Sequence, residues 1–597
     1  LQRQPQDLQT FLLSTCILQR LSASLCDAVT GQTASRQMLQ QLEQANLFVV
    51  SLDSRHQWYR YHALFAEALH YRLELTHPDL VPILHHRASM WYAEHNQTTE
   101  AILHAFSAKE WQWAADLIER IPVLAFTWGT GVHGLVLLRQ WLEQLPADVV
   151  HARPRLCLAC SQILWAVVPP TTLQAWLAAA EASLSASLTQ YLHQDGSQTI
   201  LSSQVPQNPE NLLGEVFAFR ALLQSYQEED EQATHSLCQK ALSLLSADNF
   251  VSRATVACAQ CWASYSSSAN NTVAAIQSGQ QAVSLAKAAG QTTLAISIMG
   301  TTTVHMIGAG HLHEAQQLTQ QAIELGTQPG GLLLSDVSLP TLLQADILRE
   351  WNELDAALSL VEEALSLCKQ ASSLISLMCS FHSYTVLLRI YLSRGDFDAA
   401  RSALQQVERI SRSMNLPTSI YLHSFFTTID QMRLWLACGE QKQATRWAEA
   451  LDVTGQHGTP FAREREKVAY VRLLLAKEQP TLALEQLEPI LVRATMGQRW
   501  DHVIEIRLLQ ALAHQMCQEE TQALGSLSEA VRLAEPEGYI RRFVDEGASM
   551  ATLLSRLRKD HRKHGPTPYL DTLLAAFPQQ SKRHARSPKR RRQERLP

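Results

Sequence analysis

Residues 390–404, IYLSRGDFDAARSAL, carry the reading on which the fold turns. Tyr391 belongs to an apolar helical run, Gly395-Asp396 interrupts it, and Phe397, Ala400 and Leu404 restart a stripe at three- and four-residue spacing. That is helix, tight turn, helix. The small residue on the second stripe lets two helices approach closely, and the leucines complete the buried face. The same writing recurs as EQATHSLCQKAL, VAAIQSGQQAV, HEAQQLTQQAI, DAALSLVEEAL, QATRWAEAL, LALEQLEPIL and QALGSLSEAV. One small residue near the start of each unit gives Ala233, Ala274, Ala315, Ala357, Ala400, Ala444, Ala483 and Ala523, in steps of 41, 41, 42, 43, 44, 39 and 40.

A constant period of this size marks a solenoid, in which each helix pair buries its face only against its neighbours. Tyr391, Gly395, Phe397 and Ala400 stand near the positions of a tetratricopeptide unit, although the period exceeds the roughly 34 residues of that motif. Gly310 and Gly439 mark equivalent turns. LQAWLAAAEASL continues the helical writing upstream, and a polar insert at 191–211 with Pro206 and Pro209 interrupts it as a loop. Before the solenoid, LFVVSLDSRHQWYRYHALFAEALHYRL (47–73) reads as strand, turn at Asp53 to His56, aromatic strand at Trp58 to His62, then helix. With the helices of 11–31 and 34–46 before it, this is a winged-helix layout. The expected architecture is therefore all-α: a winged-helix-like unit (1–75), connecting helices (76–120), a right-handed α-solenoid superhelix of tetratricopeptide-like pairs (121–545), C-terminal helices (546–580) and a basic tail (581–597).

Composition supports several domains or an extended array: 597 residues, 46% hydrophobic and 18% charged, contain ample apolar surface to bury. Eleven scattered cysteines, an odd number, favour a reducing cytosol over a disulfide framework. The longest apolar run, LCLACSQILWAVV, is too short for a membrane span. Leu1 leads into QRQPQ with no targeting pattern, and reads as an internal break in a longer protein.

The segments FLLSTCILQRLSASLCDAVTG, LEQANLFVVSLDSRHQWYRYHALFAEAL, QWLEQLPADVVHARPRLCLACSQILW and EPEGYIRRFVDEG resemble MalT-type, LuxR-family, ATP-dependent transcriptional regulators from Phe11 to about Phe577. The resemblance implies a nucleotide-binding ATPase, a winged helix, a superhelical inducer sensor and a C-terminal helix-turn-helix, in that order. Two parts depart from it. A phosphate-binding loop needs backbone amides and a Lys after Gly, and the chain contains no Gly-Lys pair. No cofactor is therefore expected in this chain, and ATP only through an ATPase encoded upstream. Where the helix-turn-helix should follow YLDTLLAAF, the sequence runs into PQQSKRHARSPKRRRQERLP, which has almost no apolar residues to build a core.

The last seventeen residues hold eight Lys or Arg against Glu594 alone, a formal +7 on a chain of net charge −6. A truncated or out-of-frame reading is the first explanation for this tail. A phosphate-contacting arm at Lys589, Arg590, Arg591 and Arg592 is another, and would give DNA binding that is weak, independent of sequence and salt-sensitive. Elsewhere, Cys157/Cys160 and Cys258/Cys261 have the spacing of zinc half-sites but sit in Ala/Leu-rich helices, where small buried residues are the plainer reading. His85-His86 and His311/His313 lack metalloprotease spacing. The wing aromatics Trp58, Tyr59, Tyr61 and Phe65 read as a small core, and Arg55 and Arg60 against Asp53 leave the wing nearly neutral, suited to an interdomain contact rather than to DNA. No catalytic or metal residue is expected, and the chain is not an enzyme by itself. The expected function is the inducer-sensing and protein-interaction region of a cytoplasmic MalT-like regulator, with a small molecule or regulatory protein on the solenoid's concave face and self-association as a further possibility. A free-standing scaffold binding a peptide or protein, and a subunit served by an upstream ATPase, are the alternatives.

Overall fold

The computed structural model describes residues 5–45, 48–121, 133–165, 168–193, 208–227, 231–266, 271–331, 333–370, 374–413, 427–450, 460–561 and 568–578. Most of the insert expected at 191–211 and the whole basic tail lie outside them. The backbone forms two compact units, 1–216 and 217–597.

In the first unit, helices Gln6–Thr15, Ala23–Thr30 and Ser35–Gln44 pack around Phe11, Leu12, Leu25, Val29, Leu39 and Leu42. Strands β1 (Val49–Ser51) and β2 (Tyr59–Tyr61) come next, antiparallel with Val50 opposite Arg60, and Leu21 adds a single bridge to Tyr59. The turn between the strands closes on one side chain: the Asp53 carboxylate accepts from the backbone N–H groups of Arg55, Gln57 and Trp58 at 2.9–3.0 Å. Tyr61 points inward and its hydroxyl meets Thr15 Oγ1 at 2.7 Å. Helix Ala63–Thr76 completes the winged helix, and antiparallel helices begin directly afterwards with Leu80–Glu94, Thr98–Ser107 and Trp111–Glu119. The ARPRL signature has a local cause. Pro154 sits in the first turn of helix Pro154–Leu164, and Arg153 just before it reaches back to Asp116 at 2.5 Å on helix Trp111–Glu119.

In the second unit the helices pair in chain order. After Pro209–Gln227 and Glu231–Leu244 come Phe250–Ser266 with Thr272–Ala288, Thr292–Gly308 with Leu312–Leu325, and Ser338–Glu350 with Leu354–Gln370. Leu374–Arg394 with Phe397–Ser413, Thr428–Ala437 with Gln441–Ala450, Pro460–Ala476 with Pro480–Met496, and Trp500–Met516 with Glu520–Ala534 complete the series. In each second helix the fourth helical residue is buried: Thr234, Ala275, Ala315, Ala357, Ala400, Ala444, Ala483 and Ala523. The sequence-based ladder is thus right from Ala315 onward and one residue early in its first two units, where Ala233 and Ala274 are only half-buried. The position requires small volume rather than alanine, and Thr234 satisfies it.

The turns share one geometry. Gly310 (φ 81°), Asn352 (66°), Gly395 (72°), Gly439 (74°), Glu478 (58°) and Gln518 (63°) are all left-handed, and each is followed by a backbone N–H that bonds back to the end of the first helix, as in Asp396 N to Tyr391 O at 3.0 Å. The stack also curls onto itself. Thr272 Oγ1 donates to Gly497 O at 2.6 Å, five pairs further on, and a Cβ on Gly310 would lie 3.0 Å from Trp500 Cβ. Met306, Leu312, Ile347, Ile504, Tyr539 and Phe543 share one apolar core across that closure.

Gly310→Ala and Gly395→Ala separate these two constraints. Both place a Cβ on a left-handed residue, at about 1–2 kcal/mol, but only Gly310 also meets another helix. Urea unfolding should show a clearly larger loss for Gly310→Ala; equal losses would mean that the closure contributes little there.

Candidate functional site

The first helices of the last five pairs are mostly apolar, yet each carries charged residues that the core leaves to one side. Asp346, Arg389 and Asp430 stand one repeat apart on three successive first helices, and Arg389 bridges the two carboxylates at 2.7 Å each. Arg349 adds a 2.9 Å bond to Asp346. On the next two first helices, Arg472 pairs with Glu505 at 2.8 Å. Arg349, Arg472 and Glu505 meet one short segment, residues 535–547, whose sequence is EPEGYIRRFVDEG.

That segment leaves helix Glu520–Ala534, turns at Gly538 (φ 70°) and crosses the inner side of the stack. Its backbone is tied at Ile540 N, which donates to Glu350 O at 3.0 Å, and at Glu537 O, which accepts from Trp351 Nε1 at 2.9 Å. Tyr539 and Phe543 are fully buried. Its charges then divide by sign. Arg542 holds both oxygens of Asp501 at 2.7 Å and lies 3.4 Å from Glu350 and from Glu505. Arg541 reaches Asn352 at 3.1 Å and pairs with Asp545. In the other direction Asp545 lies 3.7 Å from Arg349 and accepts from Ser393 Oγ at 2.9 Å, while Glu546 takes Arg433 at 2.6 Å and Arg472 at 2.9 Å. Arg541 and Arg542, with Asp545 and Glu546 three to five positions later, thus lie between an acidic patch and a basic one, and five successive first helices face the segment.

The electrostatics are set by burial and pairing. Burial alone would raise the carboxyls of Asp346 and Glu505, but the guanidiniums of Arg389 and Arg349 around the first, and of Arg472 and Arg542 around the second, hold both well below the ordinary carboxylate range. Glu546 is likewise held low, against burial, by Arg472 and Arg433. Burial pushes Asp501 up to about 6 against the pull of Arg542. His502 falls well below its usual value through burial and the neighbouring Arg499 and Arg465.

This lattice was not foreseen from the sequence, where EPEGYIRRFVDEG served only as a mark of resemblance. Its signal was the recurrence of Asp346, Arg389 and Asp430 at the repeat spacing on otherwise apolar helices. Of the sites named from the sequence, Lys589, Arg590, Arg591 and Arg592 lie outside the described residues. Cys157 and Cys258 are buried with thiols pushed up to about 12 by desolvation, and Cys160 and Cys261 are buried beside them on the same two helices. Among the described residues no group of three or more potential ligands surrounds a metal position. On the wing, Tyr59 and Tyr61 are buried, while Phe48, Val50 and Leu52 expose an apolar outer face. Among the described residues no helix is long and apolar enough to cross a membrane.

Comparison with known proteins accounts for both halves of this architecture. Residues 214–560 match the family profile described as the MalT-like TPR region. The chain belongs to the MalT-like TPR family. Residues 1–81 match a second profile, the MalT winged helix domain. Among curated MalT-like relatives, the HTH-type transcriptional regulator MalT of Serratia proteamaculans is 24% identical over 554 residues, covering 92% of this chain and 57% of the relative. Its namesake in Cronobacter sakazakii is 24% identical over 556 residues, with the same coverage of 92% and 57%. The chain thus spans somewhat more than half the length of these relatives. Among solved structures, a signal transduction ATPase with a tetratricopeptide repeat sensor from Pyrococcus horikoshii aligns over 94% of this chain and 66% of its own, at 10% identity and a TM-score of 0.42.

In this MalT-like chain, removing one partner from the lattice leaves uncompensated buried charge. Arg472→Met leaves Glu505 with Arg542 alone, at 3.4 Å, and Glu546 with Arg433 alone, and should cost about 3–5 kcal/mol, read as a fall in the urea midpoint. A loss under about 1 kcal/mol would mean that the pair behaves as a solvated surface bridge.

Proposed function

We propose that this chain is the sensor region of a cytoplasmic MalT-like, LuxR-family transcription regulator, non-catalytic in itself, and that residues 535–547 couple its inner face to the helices on their C-terminal side. The observation that carries this reading is the position of that segment. It holds five first helices from inside, and helices Gly547–His561 and Pro568–Ala575 come directly after it in the chain. A ligand that changed the spacing of those first helices would change the seat of the segment, and with it the packing of the helices after it. Any such ligand, small inducer or regulatory protein, shifts the balance only by its difference in affinity between the segment-seated and segment-released states.

The filled inner face also favours a sensor over a passive peptide scaffold. An extended peptide partner would have to displace a segment tied by backbone bonds at Glu350 and Trp351. The lack of any Gly-Lys phosphate loop in the sequence supports a non-catalytic role for this portion, with nucleotide chemistry left to other parts of a longer regulator. DNA contact through the tail at Lys589–Arg592 would be phosphate-driven and without sequence preference.

The reading is tested by hydrogen exchange on the full chain carrying Arg542→Glu, which sets a carboxylate against Asp501, Glu505 and Glu350. Exchange should rise together in residues 535–575 and in helices Ser338–Glu350 and Trp500–Met516, while the winged helix keeps its protection. A rise confined to the few residues around 542 would remove the proposed coupling.

A further inference from the structure

We infer that the Arg465 guanidinium, beside His502 on the inner side of the stack, is the receptor for an oxyanion: a phosphate or carboxylate carried by the ligand of the sensor region. This deepens the sensor reading and rests on it. Arg465 lies on helix Pro460–Ala476, directly after Glu464. The carboxylates around it are committed elsewhere. Glu464 is held by Arg493 at 2.7 Å and Arg499 at 2.5 Å. Asp430 is held by Arg389, and Glu505 by Arg472 at 2.8 Å with Arg542 at 3.4 Å. Among the described residues no carboxylate lies within ion-pair distance of Arg465, and its hydrogen bond is a long one, 3.4 Å from Nη1 to His502 Nε2. Its Nε is sealed from solvent and makes no hydrogen bond, as in Arg433, Arg472 and Arg542, while the residue as a whole is only half-buried.

The contrast with its neighbours is chemical. Arg389, Arg433, Arg472 and Arg542 each hold at least one carboxylate. Burial opposes the charge of Arg389, Arg472, Arg542 and Arg465. In Arg389 and Arg472 the paired carboxylates more than reverse that effect, whereas in Arg465 burial prevails and holds the guanidinium below the usual arginine range. A shielded cation without counter-charge is destabilising, and a fixed fork of N–H donors matches the two oxygens of a carboxylate or phosphate. The neutral His502 ring adds a polar edge without adding a competing negative charge.

The test is binding of inorganic phosphate and of malonate to the full chain, by calorimetry and thermal shift, against chloride at equal ionic strength. At least one oxyanion should bind saturably and raise Tm. Arg465→Met should weaken that binding at least about tenfold, and Arg465→Lys, a point charge without the fork, should fall between. Preference for phosphate would indicate a phosphorylated ligand, and preference for malonate a carboxylate-bearing one; either supports the site. Without added anion, Arg465→Met should unfold at the same urea concentration as the parent or higher, because it removes an uncompensated charge. The inference is overturned if neither oxyanion binds better than chloride, if Arg465→Met binds it equally, or if Arg465→Met loses as much stability as Arg472→Met. Anion binding is read here without any movement of residues 535–547, so it can fail while the coupling stands, and the reverse.

Discussion

Arg542 sets both of its Asp501 contacts at 2.7 Å in a largely buried place, and the first helices of the last five pairs are joined to residues 535–547 by contacts of that kind. A buried guanidinium needs its counter-charges in place, and here they come from helices separated by long stretches of chain: Glu350, Asp501 and Glu505. Helix pairs that touch only their neighbours leave curvature free to vary. Closing the stack with a segment whose Arg542 meets an acidic patch and whose Asp545 and Glu546 meet a basic one fixes that curvature. Replacing the lattice by apolar residues of similar volume could be as stable, but would lose the match of sign that admits only one register.

The apolar parts of the fold come from packing alone and were legible in the sequence for that reason. A small residue every forty or so positions has one plain cause, the close crossing of paired helices, and Ala315 through Ala523 meet it without exception. The ladder slipped by one at Thr234 because a hydroxyl reads as polar although its volume suits the site. Turns at Gly310, Gly395 and Gly439 announced themselves through glycine, whereas Asn352, Glu478 and Gln518 adopt the same left-handed geometry with side chains that carry no such signal. The hairpin of the wing was readable from alternation and from Asp53, whose carboxylate collects the turn amides.

The inner lattice was not legible, and the reason is distance. A charged residue in a helical sequence reads as solvated surface unless its partner lies within a turn. Arg542 and Asp501 are 41 residues apart, Arg472 and Glu546 are 74, and Arg541 and Asn352 are 189. Nothing local distinguishes Asp346 or Glu505 from exposed carboxylates until the stack is built and five helices turn the same face to one segment. The expectation of a ligand groove along the concave face also takes a narrower form, because over the last five pairs the chain's own residues 535–547 already occupy it.

The central question is whether that segment is bound to the stack by its charges or merely lies there because Tyr539 and Phe543 are buried. A double-mutant cycle between Arg542→Gln and Asp501→Asn, read by urea unfolding of the full chain, separates the two. A coupling energy of about 2–3 kcal/mol is expected, because the pair is buried and both oxygens are engaged. Coupling below about 0.5 kcal/mol would contradict a charge-held segment and leave the apolar contacts alone to keep it in place.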